Sequence, residues 1–155
     1  MIKKYILIVC FVFGLLQYCL ATDDIPVCNL SAREQKVFDL INKERTKKKL
    51  FPLHCNMVLQ VIAKDQSVWM AVHKDFGHDR KNGLTFLERA NLIKSRYNRS
   101  IVGENLAWGN FGNAGLVAGW MKSEHHRDNI LTAKFCDTGI SYYKGYWTQV
   151  FGCEK

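Results

Sequence analysis

The stretch Thr138-Gly139-Ile140-Ser141-Tyr142-Tyr143-Lys144-Gly145-Tyr146-Trp147-Thr148-Gln149-Val150 is rich in β-branched and aromatic residues. Its Lys144-Gly145 centre reads as the turn of a β-hairpin. Everything before it reads differently. Ser31 followed by Glu34 forms a capping box, and Val37, Leu40, Ile41 and Glu44 share one face of a helix from about Ala32 to Lys48. Lys47-Lys48-Lys49 suits its C-terminus, and this basic run reads as a solvated helix end. After the extended connector Leu50 to Leu53, Asn56 starts a second helix. Leu59, Ile62, Ala63, Gln66, Met70 and His73 recur along it at three- and four-residue steps, which makes His73 a packed or half-buried residue. A shorter helical stretch spans about Thr85 to Arg96, with Phe86, Ala90 and Ile93 inward. Ile101 to Trp108 is mixed, interrupted by Gly103. Asn113 opens a further helix carrying Leu116, Val117, Trp120 and Met121. Helices first and strands last make an α+β domain.

The other end of the chain is of a different kind. Met1 to Ala21 has a positive start at Lys3 and Lys4, an apolar run from Tyr5 to Leu16 and a small-residue exit at Cys19 and Ala21. This is the pattern of a signal peptide at 1–21, and the run is too short to span a bilayer. Gln17 and Tyr18 are too bulky for a lipoprotein site at Cys19. Cleavage after Ala21 would leave 22–155 as a single exported domain and lower the formal net charge of +8 by two. No further apolar run is long enough to make a transmembrane segment. The remaining Cys28, Cys55, Cys136 and Cys153 match no zinc or redox spacing, so an exported chain would oxidise them to two disulfides. Cys28 and Cys153 lie near the two mature ends, which favours Cys28 with Cys153 and Cys55 with Cys136 among three pairings.

Composition excludes several functions. With 48% hydrophobic and 23% charged residues the chain is neither disordered nor low in complexity. Basic residues are not interleaved with aromatics, so nucleic acid is not an expected partner. The excess positive charge would assist attachment to anionic envelopes, a screened and nonspecific attraction. The sequons Asn29-Leu30-Ser31 and Asn98-Arg99-Ser100 matter only in a host that glycosylates. There is no His-Glu-x-x-His helix, Walker loop or nucleophile elbow. Candidate chemistry rests on His78, on the pair His125-His126, and on Glu104, a carboxylate in an otherwise apolar segment that needs a partner if buried. His54 stands beside Cys55 in a connector.

Several fragments, taken in order, resemble the CAP superfamily of SCP/PR-1-like extracellular domains. They are Asn42-Lys43-Glu44-Arg45 with Pro52-Leu53, Phe76-Gly77-His78, Gly103-Glu104-Asn105-Leu106, Trp120-Met121-Lys122-Ser123, His126-Arg127-Asp128-Asn129-Ile130-Leu131, Gly139-Ile140, and Tyr146 to Gly152. The resemblance implies a three-layer α-β-α sandwich with a central antiparallel sheet and a cleft. Carried over residue by residue, it makes His78, Glu104 and His126 the cleft residues, with Tyr146 where other members place a histidine. Ser123 stands where many animal and plant members carry a second glutamate, and His125 where a glycine commonly precedes the His-Arg pair. The chain therefore resembles the compact bacterial-type branch. His78, Glu104 and His126 would bind Zn²⁺ with one position open, or Glu104 would pair with a protonated histidine and tie helix to sheet. Tyr146 would donate a hydrogen bond to a ligand.

Two functions follow from the resemblance. One is a secreted binding module for a small ligand, lipid or sterol, or for an envelope or extracellular protein partner. The other is a metal-dependent, peptidase-like hydrolase using Glu104 or Glu124 as proton acceptor. The residues favour the first, because no complete catalytic set is visible.

Overall fold

A computed structural model describes residues 28–81, 83–92 and 102–153. The signal peptide predicted at 1–21, Ile93, the end of the third predicted helix and the second sequon lie outside these residues.

Helix α1 (Ala32–Lys47) starts where its sequence places it, with the Ser31–Glu34 capping box formed in both directions. Val37 and Ile41 are fully buried, and so, less expectedly, is Arg45. Its guanidinium donates to the carbonyls of Phe51, Ile130, Thr132 and Phe135, tying the connector after α1, the end of α5 and the loop before the hairpin to one helix. Strand β1 (His54–Cys55) follows, then α2 (Met57–His73), whose cap Asn56 accepts from the Val58 and Leu59 amides. Next come α3 (Phe86–Leu92), β2 (Val102–Trp108), α4 (Asn113–Lys122), α5 (Glu124–Leu131), β3 (Asp137–Tyr143) and β4 (Tyr146–Gly152).

The sheet order is β1-β3-β4-β2. The β3–β4 hairpin turns at Lys144 (φ 46°) and Gly145 (φ 91°), as the tail predicted. Positive φ at both central residues is the signature of a type I′ turn. Strand β2 pairs antiparallel with β4, whereas the short β1 runs parallel to β3, so the sheet is not wholly antiparallel. Against one face pack α1, α4 and α5, around Ile41, Trp120, Ile130, Trp147 and Phe151. Against the other packs α2, through Leu59, Ile62, Ala63 and Met70 with Val150 and Leu106. This is the expected three-layer arrangement.

Three expectations are corrected. The disulfides join Cys28 to Cys55 and Cys136 to Cys153, with Cα atoms 5.8 and 4.9 Å apart. Proximity to the chain ends was a poor guide, because the hairpin register pairs Asp137 with Gly152 and so brings their neighbours Cys136 and Cys153 together. His73 is exposed and stacks on Trp69 instead of packing inward. The segment read as mixed is strand β2, since Gly103 belongs to the ladder opposite Phe151.

Candidate functional site

Strand β2, which carries Glu104, lies at the edge of the sheet. Two carbonyls on that edge are satisfied by side chains. Asn129 of α5 donates to the Glu104 carbonyl at 3.2 Å, and the Trp120 indole donates to the Leu106 carbonyl at 3.2 Å. Helices α4 and α5 thus cover part of an edge that would otherwise invite pairing with another strand. Asn105, on the α5 side, accepts from Asn129 and donates to the His126 carbonyl, which fixes the first turn of α5 against the strand.

Alternation along β2 sends Glu104 to the opposite face, toward α2 and α3. Its carboxylate is buried and makes three contacts. Nδ1 of His78 lies 2.9 Å from Oε1, and Arg89 of α3 grips both oxygens, Nη1 to Oε2 at 3.0 Å and Nη2 to Oε1 at 3.1 Å. Arg89 Nη2 also donates to the carbonyl of His78 at 2.7 Å, so one guanidinium holds the carboxylate and the histidine's own backbone. The loop is held from its other side by fully buried Gln66, which donates to the Gly77 carbonyl and accepts from Arg80. Arg80 in turn pairs with Asp65 and lies over the Trp69 ring.

His126 sits on the other side of the edge. It is half-buried against Trp120, with ring centroids 6.5 Å apart, and lines a hollow with Ser123, whereas His125 is exposed. Burial holds the His126 pKa below the usual histidine range, and the nearby charges of His78 and His125 push it the same way. Tyr146 faces the same side of the sheet as Glu104, packed with Met70 and Leu106, with the Trp108 and Phe76 rings centred 5.9 and 6.5 Å from its own. His54 is far more exposed, 3.6 Å from Asp137 on the sheet's other edge.

The structure therefore joins His78 to Glu104, while His126 lines a hollow with Trp120 and Ser123. Arg89 is the residue that reading the sequence missed. Its seat is unfavourable to a metal on chemical grounds: a bidentate guanidinium occupies the carboxylate that a zinc ion would need, and one imidazole nitrogen of His78 already faces that carboxylate. Among the described residues no three His, Cys, Asp or Glu side chains are grouped to hold a metal ion. The expected zinc set of His78, Glu104 and His126 does not fit. The ion pair that the side chains build is between Glu104 and Arg89, a partner the sequence did not point to, with His78 Nδ1 against the same carboxylate.

Away from the cleft, α1 and α4 frame a groove of about 530 Å³. Leu40, Val117 and Met121 form its floor, while Lys43, Lys47 and Lys122 stand at its rim, Lys47 being paired with Glu44. Among the described residues no helix is long and apolar enough to cross a membrane.

The model of the Cysteine-rich secretory protein family matches residues 38–154. The uncharacterized protein YkwD of Bacillus subtilis (strain 168) is 35% identical over 126 residues, which are 79% of this chain and 48% of that protein. This chain thus spans about half the length of that relative. The crystal structure of an extracellular protein containing a SCP domain from Bacillus anthracis str. Ames gives a TM-score of 0.72 at 29% identity, covering 79% of this chain and 40% of that one. An outer surface protein from Borrelia burgdorferi gives 0.71 at 19% identity over 81% of this chain and 97% of its own, a likeness of fold alone.

Proposed function

Because this chain belongs to the Cysteine-rich secretory protein (CAP) family and is of its bacterial type, we propose that it is an exported, metal-independent binding module and not a hydrolase. The observation that carries this is Arg89. With both Glu104 oxygens held by a buried guanidinium, the carboxylate is poorly placed to accept a proton from water or to ligate zinc. Ser123, where a second glutamate would stand, is no replacement. Export is supported by the leader-like 1–21 segment, the two disulfides and the extracellular relative.

The ligand we infer is an anionic amphiphile, of the lipid class, lying in the α1–α4 groove. Its apolar tail would cover Leu40, Val117 and Met121 and its head would meet Lys43 and Lys122. Titration with a fluorescent anionic fatty-acid analogue tests this. Saturable binding is expected, weakened at least tenfold by Ala118→Trp, which fills the groove from an exposed position. Absence of binding, or indifference to that substitution, would remove the ligand assignment. Elemental analysis tests the rest: the protein should carry no zinc that His78→Ala removes, and stoichiometric zinc lost in that variant would restore the hydrolase reading.

A further inference from the structure

Between α1 and β1 the chain puts an aromatic ring into water. Phe51 is 90% exposed, more than any other large apolar side chain among the described residues, yet the backbone that carries it is held on both sides. Its carbonyl accepts from Nε of the fully buried Arg45 at 2.9 Å. Two residues on, Asn42 takes both backbone groups of buried Leu53, donating to the carbonyl at 3.0 Å and accepting from the amide at 2.8 Å. Ahead of the ring, α1 ends in a Schellman motif, in which the Lys49 amide donates to the Thr46 carbonyl and the Leu50 amide to the Arg45 carbonyl. Pro52 fixes its own φ between the two clamps. The ring is thus presented by ordered backbone.

The surroundings of the ring are cationic. Lys48 and Lys49 precede it, both exposed, and Arg45 also donates to the Thr132 and Phe135 carbonyls, which brings the loop carrying exposed Lys134 to the same guanidinium. No Asp or Glu occurs between Arg45 and Asn56 or between Asn129 and Cys136. Lys47 is already paired with Glu44, and Asp137, just beyond Cys136, is buried. Lys49 sits at φ 59°, the left-handed position after a helix where glycine is usual, so a cation is kept where the fold itself would favour glycine. From the sequence alone this run reads as a solvated helix end; the structure adds a fixed ring among the charges. A lone protruding ring offers a protein partner little area to cover. The boundary between headgroups and acyl chains suits it better, because the ring enters the apolar side while the lysines stay with anionic phosphates.

We propose that Phe51, with Lys48, Lys49 and Lys134, is a docking tip for a bilayer surface that carries anionic lipid. One ring and three charges make a weak, reversible attachment and not an anchor. The tip is independent of the amphiphile groove, none of whose lining residues it shares.

Co-sedimentation with vesicles tests it, comparing phosphatidylglycerol mixed with phosphatidylcholine against phosphatidylcholine alone. Binding to the anionic vesicles is expected at 50 mM salt, and at least tenfold weaker binding to the neutral ones or at 500 mM salt. Phe51→Ser should weaken binding at least tenfold, and Phe51→Trp should retain it. Lys49→Gly should weaken it about fivefold, the share of one charge at such a surface, while urea denaturation shows a fold no less stable than the wild type. Ala118→Trp and Trp108→Ser should stay within twofold, which separates the tip from the groove and from the exposed indole beside the hairpin turn. Circular dichroism establishes that each variant folds. No preference for the anionic vesicles, or wild-type affinity in Phe51→Ser, would overturn the proposal; in the second case the excess positive charge alone makes the contact. Loss of binding in Trp108→Ser but not in Phe51→Ser would overturn it as well. The fatty-acid titration uses no vesicles, so the groove and the tip fail separately.

Discussion

Arg89 and Glu104 meet with side chains 2% and 1% exposed, so neither charge can turn to water if the other is removed. Breaking such a pair from one side typically costs about 3–5 kcal/mol, whereas replacing both partners with apolar groups is often close to neutral. Arg89→Met should therefore lower the unfolding free energy by about 3–5 kcal/mol. The double variant Arg89→Met/Glu104→Leu should recover most of that loss, giving a strongly non-additive cycle in urea denaturation. A cost under about 1 kcal/mol for Arg89→Met would mean that the carboxylate has found another partner. Glu104 stands out in the sequence because a carboxylate in an apolar segment demands a counterpart, and the counterparts that the family-like motifs offer are histidines. Arg89 gives no local signal: an arginine in a short helix reads as a solvated side chain, and only the tertiary approach of α3 to β2 buries it.

Among the elements, those with long periodic patterns were the legible ones. Helices α1, α2 and α4 and the hairpin fall within a residue or so of where spacing and caps put them. Strand β2 was obscured by Gly103 and its polar neighbours, each of which answers to something outside the strand. A Cβ at Gly103 would meet the Phe135 ring at 2.9 Å, Glu104 serves the ion pair, and Asn105 serves α5. Helix α5 went unread because it is short, largely polar, and follows α4 after the single residue Ser123. Strand β1 has only two residues and exists through its pairing with β3. Gly139 marks how closely α2 lies on the sheet, as a glycine inside a strand often signals. A Cβ at that position would fall 2.1 Å from the Gln60 amide nitrogen and the Leu59 carbonyl carbon, backbone atoms that cannot rotate away. Gly139→Ala should destabilise the domain by about 3 kcal/mol, the upper end of ordinary overpacking, with α2 displaced from β3. Urea denaturation gives the cost and amide chemical shifts along α2 the displacement; a loss below about 1 kcal/mol would show that the helix shifts freely.

At the scale of the whole molecule, both disulfides gather at one corner of the sheet. Cys55 lies in β1 opposite Thr138, and Cys136 immediately precedes β3. With all four cysteines brought to that corner, distance along the chain could not choose among the pairings. The hairpin could have chosen one of them. Counting outward from the Lys144-Gly145 turn sets Tyr143 against Tyr146 and, seven steps later, Cys136 against Cys153, so the bridge lies in the register that the turn dictates. The other pairing then follows by elimination: Cys28, ahead of α1, is drawn to β1 and ties the start of the domain to the sheet. The closed loops, with sequence separations of 27 and 17, are shorter than the pairing expected from the chain ends would close. In the chain-entropy model each contributes about 3 kcal/mol, against about 4–5 kcal/mol for loops near the length of the domain. Replacing Cys136 and Cys153 together by serine should therefore cost about 3 kcal/mol, and replacing Cys28 and Cys55 a few tenths more, both read by urea denaturation. Peptide mapping under non-reducing conditions checks the connectivity independently. A linked fragment carrying Cys28 with Cys153 would contradict it, and would require β1 and the lead into α1 to sit elsewhere on the sheet.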